Sequence, residues 1–412
     1  MSREGWDQKQ LGDLVTFQRG HDLSKSEFVH GKYPIAGSNG IIGYHHALTT
    51  KGPSITIGRS GNLGTPYFYK DDFWAHNTTL YVKEFHNTDP KFIYYLLKTL
   101  DFTQFNSGSA VPSLNRNYIH PLEVYVPETI ETQRRIASIL SALDERIELN
   151  RQTNATLEAL ARALFKSWFV DFDPVRAKAD GYTPVGMDAD AAELFPNKFI
   201  KTELGEIPVS WEIKSIGEIA ERVAMGPFGS SIKVETFADE GIPIISGQHL
   251  RGFMLEDSTY NFITLEHAEK LNKANVYPGD VIFTHAGNIG NLAFIPEDST
   301  YPRYVVSQRQ FFMRCNPAKI TPSFITYYFQ SPEGLYKLLA NTSSVGVPSI
   351  AQPVTYLKSI KLPIPPRAIL EAFEQIIIPL HRKYRENNRE SSTLAEMRDA
   401  LLPKLMRGEI EV

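Results

Sequence analysis

Two stretches of the chain repeat the same spacing of mostly apolar residues. In one, Ile136, Leu140, Leu143, Ile147, Asn150, Asn154, Leu157, Ala161, Leu164 and Trp168 advance by alternating fours and threes. In the other, Phe373, Ile377, Leu380, Tyr384, Asn387, Ser391, Leu394, Arg398, Leu401 and Leu405 do the same, each 237 positions after its counterpart. A 3.5-residue period held over several heptads keeps one stripe of a helix facing a partner, the pattern of a coiled coil. It predicts long helices over 130–172 and 366–406, with seams of roughly 50 Å at about 1.5 Å per residue. Prolines punctuate them: Pro127 before the first and Pro174 after it, Pro365 and Pro366 before the second. The middle of each seam is polar, Asn150 and Asn154 in one and Asn387 and Ser391 in the other. Buried polar residues there cost stability and fix register. The matched polar layers favour the two helices packing on each other over each packing on its own domain. Arg398 interrupts the second seam, and its charge is expected to reach solvent by snorkelling.

The duplication extends beyond the helices. "WDQKQLGDL" at Trp6 is answered by "WEIKSIGEI" at Trp211, and "RSGNLGTPYF" (59–68) by "HAGNIGNLAF" (285–294). "FIYYLL" (92–97) is answered by "FITYYF" (324–329), and "VPSLN" (111–115) by "VPSIA" (347–351). The markers keep their order while their separation grows from 205 to 236 residues, so insertions and deletions lie between them. Short β-rich runs such as "PSITIG" (53–58) and "GDVIFTH" (279–285) alternate with helical stretches in residues 1–129 and 206–365. Each half therefore reads as an α+β domain ending in its long helix.

Composition limits the function classes. A chain of 412 residues has room for two or more hydrophobic cores. The single cysteine, Cys315, excludes an internal disulfide and leaves no Cys-rich zinc cluster; a buried structural thiol is expected. The N-terminus carries charges without an apolar run, and no long apolar stretch occurs, so a cytoplasmic protein with no membrane span is expected. The net charge of −4 is localised: between Asp171 and Glu206 eight acidic residues face four basic ones, which accounts for the whole excess. With its glycines and prolines, 173–205 reads as an acidic connector between two near-neutral halves. Such a balance argues against tight DNA binding by this chain alone.

Catalytic signatures are missing. There is no phosphate loop of the Gly-x-x-x-x-Gly-Lys-Ser/Thr type and no Gly-x-Ser-x-Gly elbow. His45 and His46 are adjacent without a carboxylate at ligand spacing, so no metal site is expected. The repeated Gly-Asn-Leu/Ile-Gly (61–64 and 287–290) fits a tight turn, where glycine and asparagine tolerate positive φ. It also fits a loop presenting Asn62 or Asn288, with Arg59, to a DNA groove. Asparagine and glutamine can bond adenine N6 and N7, and arginine guanine O6 and N7. The same logic flags "HNTT" (76–79), with Asn77 and Thr78, and "SQRQ" (307–310), with Gln308 and Arg309. "GPFGSS" (226–231) fits an ordinary turn or, through Gly229 and Ser230, a DNA phosphate contact.

These features together resemble the specificity subunits of type I restriction–modification systems. The resemblance rests on "VPSLN" and "VPSIA" before each helix, on "TQRRIASILSALDERIELNRQTNATLEALARALFKSWFVDFDPVRAK" (132–178) followed by "ELGEIPVSWE" (203–212), and on "TLAEMRDALLPKLMRGEI" (393–410). It implies two globular α/β target-recognition domains joined by an antiparallel coiled coil, an α+β architecture with pseudo-twofold internal repeat. Residues 1–129 and 206–365 would be the two domains, and 130–172 and 366–406 the conserved spacer helices. It further implies a non-catalytic chain that binds double-stranded DNA and reads a bipartite, asymmetric target. Its partners would be two modification subunits, which use S-adenosylmethionine for DNA methylation, and restriction subunits, which use ATP and Mg. The chain itself would hold no cofactor. Two other classes stay open on the residues alone: a tandem-domain enzyme with an unrecognised site, and a scaffold that assembles partners without reading DNA.

Overall fold

A computed structural model describes residues 5–105, 113–256, 258–343 and 346–412, without the side chain of Ser230. The fold divides into two compact units, one formed by residues 1–152 and 387–412, the other by 153–386.

The repeated sequence markers are backbone devices. "WDQKQLGDL" forms a strand, Trp6–Gln10, and a single helical turn, Leu11–Leu14. That turn is closed by a capping box, in which the Asp13 carboxylate accepts the Gln10 backbone N–H at 3.1 Å. "WEIKSIGEI" does the same with Ser215 and Glu218 at 2.7 Å. Reciprocal capping satisfies N–H groups that a helix start otherwise leaves unpaired. "FIYYLL" lies in helix Pro90–Lys98, capped by Asp89 Oδ1 accepting from Phe92 N at 2.9 Å. "FITYYF" lies in helix Pro322–Gln330, capped by Thr321 at 3.2 Å. Each begins with proline, whose fixed φ suits the first helical position.

The strand order is shared too. In the first unit, an antiparallel sheet runs Val15–Arg19, Thr79–Phe85, Ser54–Gly58, Pro66–Tyr69. In the second, Ala220–Met225, Gln310–Cys315, Asp280–Thr284 and Leu292–Phe294 stand in the same order. The register is kept as well, with Thr56 opposite Tyr81 in one and Ile282 opposite Phe312 in the other. In each unit the opening strand pairs with the strand that leads into the long helix, Trp6–Gln10 with Glu123–Pro127 and Glu212–Ser215 with Lys361–Ile364. The smaller second sheets differ, three strands in the first unit and four in the second.

The long helices span Ile130–Phe169 and Arg367–Met406, 40 residues each and therefore about 60 Å at 1.5 Å per residue. They outrun the seam at both ends. All twenty seam positions are buried or half-buried. Within the first unit, Ile136 and Leu140 share a core with Leu402, Leu405 and Met406. Farther along, the Arg146 guanidinium donates to both oxygens of Glu390 at 2.9 Å. Asn150 Nδ2 donates to Glu390 at 2.9 Å and to Ser391 Oγ at 3.3 Å, and reaches the Asn387 carbonyl at 3.4 Å. Rising numbers on one helix meet falling numbers on the other, so the pair is antiparallel. In the second unit, Asn154 Nδ2 donates to the Tyr384 carbonyl at 3.1 Å, and Phe165 and Trp168 pack on Phe373.

One expectation changes, and the connector gains structure of its own. Arg398 does not send its charge to solvent: its side chain is 20% exposed and forms ion pairs with Asp144 at 2.6 Å and Asp399 at 2.7 Å. A cation on a half-buried seam is better compensated by a carboxylate across the seam than by partial hydration. The acidic stretch 173–205 is folded, with helices Asp173–Ala179 and Ala189–Glu193 and a hairpin of Phe199–Thr202 with Gly205–Pro208. Phe172, Val175, Phe195 and Ile207 anchor it in the core that holds Trp168 and Trp211. Its acidic side chains are exposed, while Lys178 turns inward and donates to the Ala192 carbonyl at 2.9 Å.

Candidate nucleic-acid interface

In the first unit the flagged residues converge at one end of the two central strands of the four-stranded sheet. Strand Ser54–Gly58 runs out at Arg59, whose backbone N–H donates to the Thr78 carbonyl at 2.8 Å. The Arg59 guanidinium donates to the Asn77 carbonyl at 3.3 Å, and the Arg59 carbonyl accepts the Leu114 N–H at 2.8 Å. Thus Ser113 and Leu114 of "VPSLN" are zipped to the strand end and Asn115 caps the next helical turn; Val111 and Pro112 lie outside the described residues.

The second unit repeats this frame bond for bond. His285 occupies the place of Arg59: its N–H donates to the Arg309 carbonyl at 3.0 Å and its ring Nε2 meets the Gln308 carbonyl at 3.1 Å. The His285 carbonyl accepts the Ile350 N–H at 2.8 Å, so "VPSIA" is held as "VPSLN" is. Both turns close on themselves, Thr79 N to the His76 carbonyl at 2.9 Å and Gln310 N to the Ser307 carbonyl at 3.1 Å.

The glycines of the repeated Gly-Asn-Leu/Ile-Gly follow the turn reading, with φ of 85° and 74° at Gly61 and Gly64 and 86° and 88° at Gly287 and Gly290. Only glycine adopts that backbone without strain. Between them Asn62 and Asn288 are exposed at the turn tips. Asn62 Oδ1 accepts from Thr65 Oγ1 at 3.2 Å. The Arg309 guanidinium lies against Gly287, within 3.6 Å of where a side chain there would begin. Gly229 and Ser230 sit in a 3₁₀ turn, Gly229–Ser231.

Residues the sequence did not single out complete that end of the first sheet. Asn77 Nδ2 donates to Asp22 Oδ1 at 2.5 Å, and Arg19 clamps the same carboxylate at 2.6 Å and 3.2 Å. Hydrogen bonds from Arg19 and then Asn77 hold the Asp22 carboxyl below the usual carboxylate range. The Asn77 amide is thereby oriented, with Nδ2 toward Asp22 and Oδ1 left as an acceptor. Thr78 Oγ1 pairs with His76 Nδ1 at 2.9 Å. An arginine, an oriented amide and hydroxyls on a fixed backbone can hydrogen-bond base edges and phosphates.

Other candidates behave structurally. Cys315 is buried and its thiol pKa is pushed up by burial. His45 and His46 stack with ring centroids 4.3 Å apart. Among the described residues no group of three or more histidine, cysteine or acidic residues could hold a metal ion, and no helix is long and apolar enough to cross a membrane.

Comparison with known proteins agrees with this geometry. The family model of the type I restriction modification DNA specificity domain matches residues 3–159 and 208–388. The specificity subunit of the type I restriction enzyme HindI of Haemophilus influenzae is 25% identical over 78% of this chain and 77% of its own length. That of MjaIX of Methanocaldococcus jannaschii is 29% identical over 80% of this chain and 72% of its own. The crystal structure of a type I S subunit from M. genitalium is similar in fold, with a TM-score of 0.61 at 17% identity, covering 97% of this chain and 96% of that one. A duplicated α+β frame, a paired set of long helices and a family match across most of both halves lead to one conclusion: the chain belongs to the family of type I restriction–modification specificity subunits, the non-catalytic components that recognise DNA sequence.

Proposed function

We propose that the two globular parts, residues 1–129 and 206–365, each read one half of a split, asymmetric DNA target. The helices 130–172 and 366–406 would set the gap and dock two modification subunits. The observation that carries this reading is the repeated hydrogen-bond frame with unlike side chains around a shared asparagine (Asn62, Asn288): Arg59, Asn77 and Thr78 on one copy, His285, Gln308 and Arg309 on the other. Identical frames with different donors and acceptors suit two different half-sites. Asn77 and Gln308 suit adenine, Arg59 and Arg309 guanine or phosphate. Gly229 and Ser230 suit phosphate. The polar layers at Asn150, Asn154, Asn387 and Ser391 hold the register of the helix pair.

In the assembly, S-adenosylmethionine belongs to the modification subunits and ATP with Mg to restriction subunits. A chain with a net charge of −4 leaves much of the phosphate contact to those partners. Methylation-site sequencing of DNA modified by this chain with its modification partner tests the reading. Two unlike specified blocks separated by unspecified bases are expected; a single continuous block or a palindrome would refute it.

A further inference from the structure

The frames can be aligned one step further, into the loop after the first sheet strand. Gly20 N donates to the Thr79 carbonyl at 3.0 Å, and Gly226 N donates to the Gln310 carbonyl at 2.8 Å. A side chain at Gly20 would begin 2.0 Å from the His76 carbonyl oxygen, and one at Gly226 2.1 Å from that of Ser307. Both loops are pressed onto the turn that carries the candidate base-reading residues, and only glycine permits that approach. Two residues beyond each glycine the chains diverge. The first has Asp22, tied to Arg19 and Asn77. The second has Phe228, 88% exposed and the most exposed aromatic side chain among the described residues.

A lone exposed apolar residue ordinarily needs no explanation. The position of Phe228 supplies one. It follows a backbone contact that fixes the loop beside Gln308 and Arg309, and it replaces the residue that orients the reading amide of the other unit. A phenylalanine on a loop held against the turn that carries residues suited to adenine and guanine edges would meet one apolar feature in the major groove, the 5-methyl group of thymine.

We propose that Phe228 is a specificity-determining residue that reads a thymine methyl in the half-site of the second unit. This rests on the half-site reading given above. The test uses the assembled complex of the full chain with its modification subunits, on duplexes carrying its mapped target. Each thymine of the second half-site is replaced in turn by deoxyuridine, which lacks only the methyl. One replacement is expected to weaken binding about fourfold, the worth of one buried methyl group, and to have no effect on the Phe228→Ala complex. Replacements in the first half-site are expected to act equally on both complexes. The proposal is overturned if no replacement weakens the unmodified complex, if Phe228→Ala responds identically, or if the second half-site contains no thymine. Gln308→Ala separates the two levels. If it relaxes the second half-site while the deoxyuridine scan is flat, only the role of Phe228 fails; if it changes nothing, the base-reading site itself fails.

Discussion

The two units differ most where their frames agree best. At one central strand position the first has Ser54, whose hydroxyl donates to the Val82 carbonyl at 2.7 Å. The second has Asp280, 1% exposed, bound through both oxygens to Arg314 at 2.7 and 2.8 Å. At the strand ends the relation reverses. There the first unit carries the ion pair of Arg19 and Asp22 with Asn77 bonded to it, and the second the bare ring of Phe228. Backbone bonds at strand ends, capping boxes and glycine turns are held in common. The side chains inside and outside that frame differ, which is what the proposed reading of two unlike half-sites requires.

The sharpest way to break this comparison is to remove the buried carboxylate. Asp280→Ala leaves Arg314 without its partner and is expected to cost about 3–5 kcal/mol, whereas Ser54→Ala in the first unit costs about 1 kcal/mol. Denaturant unfolding followed by hydrogen exchange in each unit measures both; equal losses would mean that the two positions are not built differently.

Acid provides a graded version. His381 lies buried in the second unit, its ring bonded to Tyr327 Oη at 2.7 Å, and burial lowers its pKa from 6.5 to about 3. The unfolded chain takes up the proton first, so stability is intact above pH 6.5 and falls as pH drops toward 3. The slope is at most about 1.4 kcal/mol per pH unit. A series of unfolding curves over that range should show the slope in the second unit and its loss in His381→Phe.

The smallest effect concerns the helix pair. Asn150 reaches the carbonyl of Asn387 rather than its side chain, so a double-mutant cycle between those two would miss the bond. The cycle between Asn150 and Glu390, 2.9 Å apart, is expected to give a coupling of about 1 kcal/mol. Zero coupling would remove the polar layer as a source of register.

The parts of this architecture that were legible in the sequence are those imposed by backbone chemistry. "QLGD" and "SIGE" could be matched because a capping box needs a carboxylate three residues after its cap. The seam residues could be matched because a helix pair needs a 3.5-residue period. Pairings across long sequence separations leave no such trace. Nothing in the pattern around Arg398 points to Asp144, and nothing around Asn77 points to Asp22. The stretch 173–205 looked like a linker because it combines an acidic excess with glycines and prolines, although Val175 and Phe195 within it, and Phe172 and Ile207 beside it, are buried in a core. Asp22 escaped notice because it lies between the repeated markers, and Phe228, inside "GPFGSS", was passed over for the glycine and serine beside it.

The central claim is that one frame, used twice, presents two independent reading surfaces. Its most direct test is methylation-site sequencing with a chain in which residues 206–365 are replaced by a second copy of residues 1–129. The account predicts a target whose first half-site recurs in inverted orientation across the gap, with the original second half-site gone. Retention of that second half-site in the modified DNA would contradict it.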